Sequence, residues 1–425
     1  MRTRSCALIV FAASSALAAN WPAWRGPLGT GVSDEKNLPV KWSATENVKW
    51  RVALPERGNS TPIVWNDRIF LTQPVGKERT LMCFNRADGK LLWQQGVTTE
   101  LADNPTHGTN PYCSGSPVTD GERVIVWFGS DGLHCYDFTG KKLWSRDLGL
   151  QKHIWGYGAS PVIYGGLCFL NFGPGARSFL VAVDKKTGKT IWQHDEDTGY
   201  GKPPTADVRG GKGAGVATYV GTWTTPVVTK VEGKDQLLMC WPRRLAAYDP
   251  PTGKELWTCA GLNPLVYTSP IHNGDIVVAM GGFNGMAIAV RAGGSGDITA
   301  SRRLWHHPRT KQRIGSGVVH DGHIYIHNDP SVAECFELKT GNLVWEERLR
   351  GDSKTGQNWS SVMLADGKCY TITQGGDCFV FKASLKFELL AVNSLGERSN
   401  SSVVPSNDEL FIRTHAALWC IGAKR

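Results

Sequence analysis

Most local motifs of enzyme and metal sites are missing from this sequence. It has no Gly-x-Ser-x-Gly, no phosphate-binding loop and no His-Glu-x-x-His. None of its eleven cysteines stands in a Cys-x-x-Cys-His, which excludes covalent c-type haem, and no Cys/His spacing indicates zinc. Any chemistry therefore has to come from residues that the fold brings together.

Long apolar runs are also scarce. One run lies in MRTRSCALIVFAASSALAAN, behind Arg2 and Arg4, and it is too short to cross a bilayer as a mature helix. It ends in Ala16-Leu17-Ala18, the pattern of a secretory signal, so we expect a signal peptide over residues 1–18. Cys6 precedes the run, so no lipid-anchoring site is evident. The sequence therefore predicts a periplasmic or secreted protein with no transmembrane segment.

Positive charge is present but dispersed. Without Arg2 and Arg4 the formal net charge falls from +9 to +7, and many lysines lie in repeated surface turns. A solvated rim explains them better than a nucleic-acid site, because no basic stripe is interleaved with aromatic residues. We therefore expect no nucleic-acid partner.

Tryptophan and glycine, in contrast, are abundant. The chain has 17 Trp and 49 Gly beside six Met, a composition that indicates an aromatic-rich, turn-rich, all-β protein. Its 425 residues are too many for one compact core but ordinary for a repeat architecture.

A turn followed by tryptophan recurs along the chain. Its copies read NRADGKLLW, DFTGKKLW, DKKTGKTIW, DPPTGKELW and ELKTGNLVW. Glycine supplies the positive φ of such a turn, and the Trp is a flat surface suited to the contact between two repeated units. We therefore predict structural roles for seven tryptophans: Trp50, Trp93, Trp144, Trp192, Trp257, Trp305 and Trp345. The seventh unit has no Trp and is expected to place Phe387 or Leu389 there.

A second signal, Ser/Thr-Pro-Val or a weaker form, precedes each turn. The eight starts are at Ser60, Ser116, Ser160, Thr225, Ser269, Ser316, Ser360 and Ser401. Each start leads through a polar turn, an apolar strand and a third strand to the Thr-Gly turn, so each unit is four short strands. This is the pattern of a β-propeller blade. An all-β sandwich with chance spacing is the alternative, but it does not explain eight in-phase copies.

The chain ends predict how the ring closes. The last unit stops after LFIRTHAALWCIG without a fourth strand, while an unassigned strand, NVKWRVALP, precedes the first unit. Residues 47–54 are therefore expected to complete the last blade, which removes the open seam. The predicted fold is an eight-bladed β-propeller of four-stranded antiparallel blades, one domain over 19–425.

These motifs resemble the PQQ-like β-propeller superfamily, which includes quinoprotein alcohol dehydrogenases and outer-membrane-assembly factors of the BamB type. The opening NWPAWRGPLGTGVSDEKNLPVKW (20–42) is similar to that of exported PQQ-like repeat proteins. For the dehydrogenases the resemblance implies a disulfide of adjacent cysteines over the quinone, a Ca²⁺ site of Glu, Asn and Asp, and a catalytic Asp. No two cysteines are adjacent here, so the most diagnostic feature of a PQQ enzyme is missing.

The cysteines are expected to be small buried fillers. Cys83, Cys135, Cys335, Cys378 and Cys420 are predicted to share one third-strand register on different blades, so disulfides among them are not expected.

The two faces of the predicted ring differ. The connections from each Trp strand to the next inner strand are long and carry aromatic and amide side chains, and the longest, 198–223, is rich in glycine. Propellers of this kind bind ligands over the central channel on that face. The ligand-binding candidates are His107, Asn110, Tyr112, His153, Trp155, Tyr157, Trp223, Tyr267, Arg313, Asn328, Asp329, Asn358 and Trp359. Loop packing or capping of the inner strands is the alternative role of each.

Two functions remain open at this point. One is a non-catalytic propeller that binds an envelope protein or peptide, or a small polyhydroxylated or quinone ligand. The other is an oxidoreductase that uses PQQ with Ca²⁺, for which Asn328 and Asp329 are the best acid-amide pair, although Asn-Asp is also a common turn pair. The first is favoured, with no assigned catalytic residue or metal ligand.

Overall fold

The chain forms a ring of eight four-stranded antiparallel blades, as predicted. The computed structural model describes residues 20–100, 107–201, 220–283, 285–353 and 355–423. The expected signal peptide and most of the glycine-rich connection lie outside these residues. Helix is confined, in the described part, to a 3-10 turn at Gly129–Asp131 and one short helix at Thr299–Arg302.

Each blade runs from an inner strand at the channel to an outer strand at the rim. Blade 1 comprises Ile63–Trp65, Arg68–Val75, Glu78–Asn85 and Leu91–Thr98, and blade 2 comprises Val118–Thr119, Arg123–Trp127, Leu133–Asp137 and Lys142–Arg146. Blade 3 comprises Val162–Tyr164, Leu167–Phe172, Phe179–Asp184 and Thr190–Asp195, and blade 4 comprises Val227–Val231, Lys234–Trp241, Arg244–Tyr248 and Glu255–Ala260. Blade 5 comprises Ile271–Asn273, Ile276–Met280, Ala287–Arg291 and Arg303–His307, and blade 6 comprises Val318–His320, His323–Asn328, Val332–Glu337 and Leu343–Arg348. Blade 7 comprises Met363–Ala365, Lys368–Ile372, Asp377–Lys382 and Leu389–Ser394, and blade 8 comprises Val404–Ser406, Glu409–Arg413, Ala417–Ile421 and Val48–Ala53. Four two-residue strands, Val32–Ser33, Gly221–Thr222, Leu265–Val266 and Gly296–Asp297, complete the set described.

The ring closes through the N-terminal strand, which confirms the predicted closure. Val48–Ala53 pairs antiparallel with Ala417–Ile421, and Trp50 lies opposite Cys420. The last blade thus joins both ends of the folded chain, and the ring has no open seam between its first and last blades.

A closed ring of eight hydrogen bonds links the inner strands. In each blade one backbone N–H donates to the Ser or Thr hydroxyl of the next blade, at 2.8–3.1 Å. The members are Thr61, Ser116, Ser160, Thr225, Ser269, Ser316, Ser361 and Ser402, all of them buried. In the first unit the member is thus Thr61, not Ser60, and in the seventh and eighth units it is the second serine of the pair, not Ser360 or Ser401. Because Ser402 donates back to Thr61, the ring stabilises all eight blade contacts around the channel.

The repeated tryptophans contact the following blade. Each indole Nε1–H of six blades donates to a backbone carbonyl in the third-to-outer turn of the next blade, at 2.9–3.0 Å. Trp144, for example, donates to Lys185 O, and a Cβ on Gly188 would lie 2.7 Å from the Trp144 ring. Gly188 also has a φ of +71°. The recurring glycine therefore serves both the turn and the close approach of the indole.

Two blade contacts depart from this rule. Trp257 donates within its own blade, to Gln236 Oε1, because a longer excursion replaces the turn of blade 5. In blade 7 the residue at the Trp position is Ala391, opposite Val380 and directly after the strand irregularity that precedes Trp in other blades. The expectation of Phe387 or Leu389 at that position was wrong.

The cysteine register also needs one correction. Cys83, Cys135, Cys335 and Cys420 each lie opposite a blade Trp, but Cys378 lies opposite Asn393, two residues away from that register. All ten described cysteines are buried free thiols. Burial raises the pKa of Cys335 to about 11, as expected for a buried filler residue.

The N-terminal segment 20–33 crosses the face of the ring that carries the short turns. Trp21 exchanges two backbone hydrogen bonds with Val64 of blade 1, and Gly31 O accepts the Leu364 N–H of blade 7. Between them the buried Arg25 donates to Ser316 O and Gly317 O at the start of blade 6. The segment therefore covers this end of the channel and leaves ligand access to the other face.

Candidate functional site

The candidate site lies on the face formed by the outer-to-inner connections and the second-to-third strand loops, called here the channel face. Antiparallel pairing within each blade places these two kinds of loop at the same end of the ring. The opposite end carries the short turns and segment 20–33. The sequence candidates therefore share one face, but they divide into separate groups on it.

One group is a continuous row of aromatic rings from blades 3 to 5. His153, Trp155 and Trp223 contact one another with ring centroids 5.0–5.9 Å apart. Tyr267 extends the row from Trp223 at 4.9 Å, and Tyr200 extends it from His153 at 5.8 Å. The two Trp and two Tyr side chains are half-buried, so the row offers apolar surface at the mouth of the channel.

The polypeptide around this row is held by hydrogen bonds between side chains and backbone. Trp223 Nε1–H donates to Gly156 O at 3.0 Å, and His153 Nδ1 accepts the Trp155 N–H at 3.1 Å. The buried Asn110 side chain donates to Trp155 O at 2.6 Å and to Tyr157 O at 3.0 Å. These contacts fix the connection that carries Trp155, so the aromatic surface is preorganised.

Several candidates support the loops instead of lining a surface. Tyr157 is buried, and its hydroxyl accepts the Cys113 N–H at 3.2 Å. Tyr112 lies under the Arg79 guanidinium, 3.7 Å from its ring centroid. His107 is exposed, with its Nδ1 2.7 Å from Thr109 Oγ1. Asn110, Tyr157 and Tyr112 therefore have the packing roles that were the alternative for each.

A second group is a buried ion-pair network on blade 6. Arg313 donates to Asn328 Oδ1 at 3.0 Å and to Glu334 Oε2 at 3.1 Å, and its guanidinium lies over Phe336. Lys311 Nζ donates to the other oxygen of Glu334 at 2.8 Å. Burial opposes the charge of Glu334, but these two cations hold the pKa of its carboxyl below the ordinary value. Both oxygens of Glu334 are thus occupied by cations of the chain itself.

Asp329 is the acidic candidate outside that network. It is 6% exposed, and its Oδ1 has no hydrogen-bond partner among the described residues. Burial raises the pKa of its carboxyl to about 6, opposed by a hydrogen bond from the Asn358 backbone. The Asn358 side chain donates to His327 O and Ser360 O, and Trp359 beside it is half-buried. The loop before blade 7 therefore approaches Asp329 through its backbone.

The aromatic row and the ion-pair network meet at Gly282. The Tyr267 ring would lie 2.0 Å from a Cβ at that position, so no larger residue fits there. Gly282 O in turn accepts the Arg313 N–H at 2.9 Å. Consequently the surface continues from Trp155 in the loop before blade 3 to Asn358 before blade 7.

Sequence patterns did not identify three members of these groups. Tyr200 lies in the glycine-rich connection, whose composition did not single it out. Lys311 lies two positions from Arg313, and a second basic residue so close to it was a usable signal. Glu334 is an acidic residue at a buried third-strand position that is otherwise apolar, VAECFE, and that break in the pattern was the available signal.

The residues do not fit the Ca²⁺ and quinone that the resemblance implies. No group of three or more His, Cys, Asp or Glu in the described ranges is arranged to hold a metal ion. Glu334, which accepts a hydrogen bond from the Asn328 side chain, is neutralised by Lys311 and Arg313, and no disulfide joins the described cysteines. A Ca²⁺ ion requires carboxylate oxygens that are free to coordinate it.

Sequence comparison matches the chain to one protein family over most of its length. The family is described as "Outer membrane protein assembly factor BamB", and the matches cover residues 30–111, 77–347 and 176–424. Together these ranges span nearly all of the propeller.

Two curated relatives are enzymes of greater length. The dehydrogenase subunit of the quinone alcohol dehydrogenase of Gluconobacter oxydans is 32% identical over 186 residues, 39% of this chain and 24% of that protein. The tetrathionate hydrolase of Acidithiobacillus ferrooxidans is 22% identical over 310 residues, 73% of this chain and 48% of that protein. The chain thus spans less than half the length of these relatives.

Solved structures share the fold at low identity. The quinohemoprotein alcohol dehydrogenase of Comamonas testosteroni superposes with a TM-score of 0.69 at 12% identity, covering 97% of this chain and 82% of that one. BamB of Moraxella catarrhalis superposes with a TM-score of 0.61 at 13% identity, covering 88% and 96%. At such identities the likeness establishes the propeller and nothing finer.

Proposed function

Because the chain belongs to the PQQ-like β-propeller family that includes BamB, we propose that it is an exported, non-catalytic propeller that binds a partner on its channel face. Export is supported by the N-terminal sequence pattern of residues 1–18. No helix in the ranges that the structure covers is long and apolar enough to cross a membrane. The proposed location is the periplasm or the extracellular space.

The aromatic row carries this proposal. Trp155, Trp223 and Tyr267 keep part of their surface exposed although each has a ring contact on at least one side. Half-exposed Trp and Tyr held by backbone contacts lose little side-chain entropy on binding, and they dominate the energetics of binding sites. A protein segment or peptide of an envelope partner fits such a surface; a flat quinone or a sugar is the smaller ligand class.

The acid-base groups support a binding role over a catalytic one. Glu334 and Arg313 neutralise each other inside the blade, and Lys311 is held by Glu334 and Glu346. Groups paired in this way stabilise loops and are not free to bind a metal or accept a proton. The network therefore stabilises the loops of the channel face, which is the role expected in a non-catalytic binding protein.

A PQQ-dependent dehydrogenase is the second candidate. It is supported by Asp329, whose raised pKa and unpartnered oxygen are properties of a general base, and by the relative from Gluconobacter oxydans. The poor fit to Ca²⁺ counts against it.

Affinity capture with matched variants tests the proposal. Mature wild-type protein, the double variant Trp155→Ala/Trp223→Ala and the control Trp24→Ala would be used to capture partners from an envelope extract. Trp24 is half-buried on the opposite face, so the control removes an indole without altering the aromatic row. We expect one partner retained by wild type and Trp24→Ala and lost at least tenfold in the double variant.

A fluorescence titration separates the two candidates. Saturable, calcium-dependent quenching of tryptophan fluorescence by PQQ, abolished in Asp329→Asn, would replace the scaffold proposal with the dehydrogenase. Equal capture by all three proteins would remove the channel face from the proposal.

A further inference from the structure

An unneutralised positive cluster lies on the channel face at blade 8. Arg57 is in the connection from blade 8 to blade 1, and Arg398 is in the connection from blade 7 to blade 8. Arg413 is the last residue of the second strand of blade 8, and His415 lies in the loop that follows this strand. These three chain segments flank one another on the same face, so the topology places three arginines around one imidazole.

Arg413 is a fully buried cation bonded to neutral acceptors. It is 0% exposed, and its guanidinium donates to Ser60 Oγ at 3.0 Å and Gln73 Oε1 at 2.6 Å, with longer bonds to two backbone carbonyls. Its Nε–H has no partner in the described structure. A Cβ at Gly58 would lie 1.9 Å from the guanidinium, so the chain leaves room for this charge. Burying an arginine without a counter-ion is costly, which suggests that a counter-ion is supplied from outside.

Arg57 and Arg398 add exposed charge at the surface of the cluster. Both are exposed, Arg57 donates to Gly108 O at 2.9 Å, and neither forms a salt bridge with a described carboxylate. The nearest acidic residues along the chain are already engaged. Glu397 accepts hydrogen bonds from Arg51, Thr414 and Trp419, and Glu56 accepts the Gly76 N–H.

The pKa of His415 reflects the positive charge of the arginines around it. Burial first, and then the charges of Arg413, Arg398 and Arg57, lower the pKa of its imidazole to about 4, and no carboxylate of the described residues opposes them. Its Nε2 is buried without a partner among the described residues. The imidazole is thus neutral at pH 7 and has one ring nitrogen available for a hydrogen bond.

We propose that the cluster of Arg57, Arg398, Arg413 and His415 is a binding site for an oxyanion group, a carboxylate, sulfate or phosphate. Guanidinium groups match the geometry of such anions and donate paired hydrogen bonds to them. The inference deepens the proposed function, because it assigns an anionic group to the ligand of the channel face.

Inorganic anions test the site without knowledge of the partner. Mature protein labelled at histidine would be titrated with sodium sulfate, phosphate or acetate against sodium chloride at equal ionic strength. We expect saturable binding of at least one oxyanion and a rise in the pKa of His415 on saturation, because a bound anion offsets the three arginines. The preferred anion identifies the class of group.

Exposed arginines provide the variants, since Arg413 is too buried to replace safely. Arg57→Gln and Arg398→Gln should each weaken oxyanion binding at least fivefold. Arg350→Gln, which removes an exposed charge from the connection after blade 6, should leave it within twofold. Saturable binding with no response of His415, equal losses in all three variants, or no saturable binding would overturn the site. Partner capture that persists in such a case would leave the proposed function intact.

Discussion

In the closed ring of eight hydrogen bonds around the channel, a single hydroxyl oxygen is expected to contribute measurably to the stability of the whole propeller. Ser316 is 1% exposed, and its Oγ accepts the Ser269 N–H at 3.0 Å. In Ser316→Ala that N–H stays buried without an acceptor, while the bond from Ser316 N–H to Ser361 Oγ and the bonds of Arg25 remain. An unsatisfied buried donor costs about 1–3 kcal/mol, so the free energy of unfolding should fall by that amount. Urea unfolding followed by tryptophan fluorescence measures it as a lower midpoint at unchanged slope.

A threonine at the same position is the matched control. Threonine occupies this ring position at Thr61 and Thr225, so Ser316→Thr keeps the acceptor and should stay close to wild type. If Ser316→Ala unfolded at the wild-type midpoint, the ring would have no energetic role. The same conclusion would follow if both variants lost equal stability.

Three further predictions concern packing, acid stability and thiol reactivity. Gly188→Ala should destabilise the protein by about 1–3 kcal/mol more than Gly165→Ala in chemical unfolding, because both have positive φ but only Gly188 faces a tryptophan ring; equal costs would contradict the close-approach argument. Burial lowers the pKa of His327 to about 3, below that of the unfolded chain, so the stability it contributes above pH 6.5 is lost as the pH falls. Between pH 7 and pH 5 wild type should lose about 2 kcal/mol more than His327→Gln, measured by urea unfolding at both values. The ten described thiols are buried, so a thiol reagent should label them only after urea is added, and fast labelling of native protein would refute that burial.

The fold was predictable because the sequence motif for packing adjacent blades recurs along the chain. At six of the eight blade contacts a flat side chain meets a turn that admits it, so Trp and Gly recur at fixed spacing. Where the repeat fades, the prediction failed by one to four residues. In blade 7 no Trp marks the register, and Ala391 takes the position that Phe387 or Leu389 was expected to fill. The two serine pairs without proline left the hydroxyl ring ambiguous between neighbours such as Ser360 and Ser361.

The site was less predictable because it depends on contacts between loops of different blades. The sequence indicated that Trp155, Trp223 and Tyr267 lie on one face, but their distances depend on how each connection folds back. Arg313 was expected to bind a ligand, but its guanidinium donates a hydrogen bond to Glu334, which lies 21 residues away in the sequence. Arg57 is far in sequence from Arg398 and Arg413, and it comes close to them only through the closure of the ring.

Site-specific photo-crosslinking tests the central claim, that the channel face binds the partner, most directly. A photoreactive phenylalanine analogue would replace Tyr267 in the aromatic row or Tyr164, which ends the inner strand of blade 3 at the opposite face. Both variants would be expressed in the native host and irradiated in intact cells. If the channel face binds the partner, position 267 yields a crosslinked partner and position 164 yields none. Crosslinking from position 164 alone would contradict it and place the binding surface on the face that carries segment 20–33.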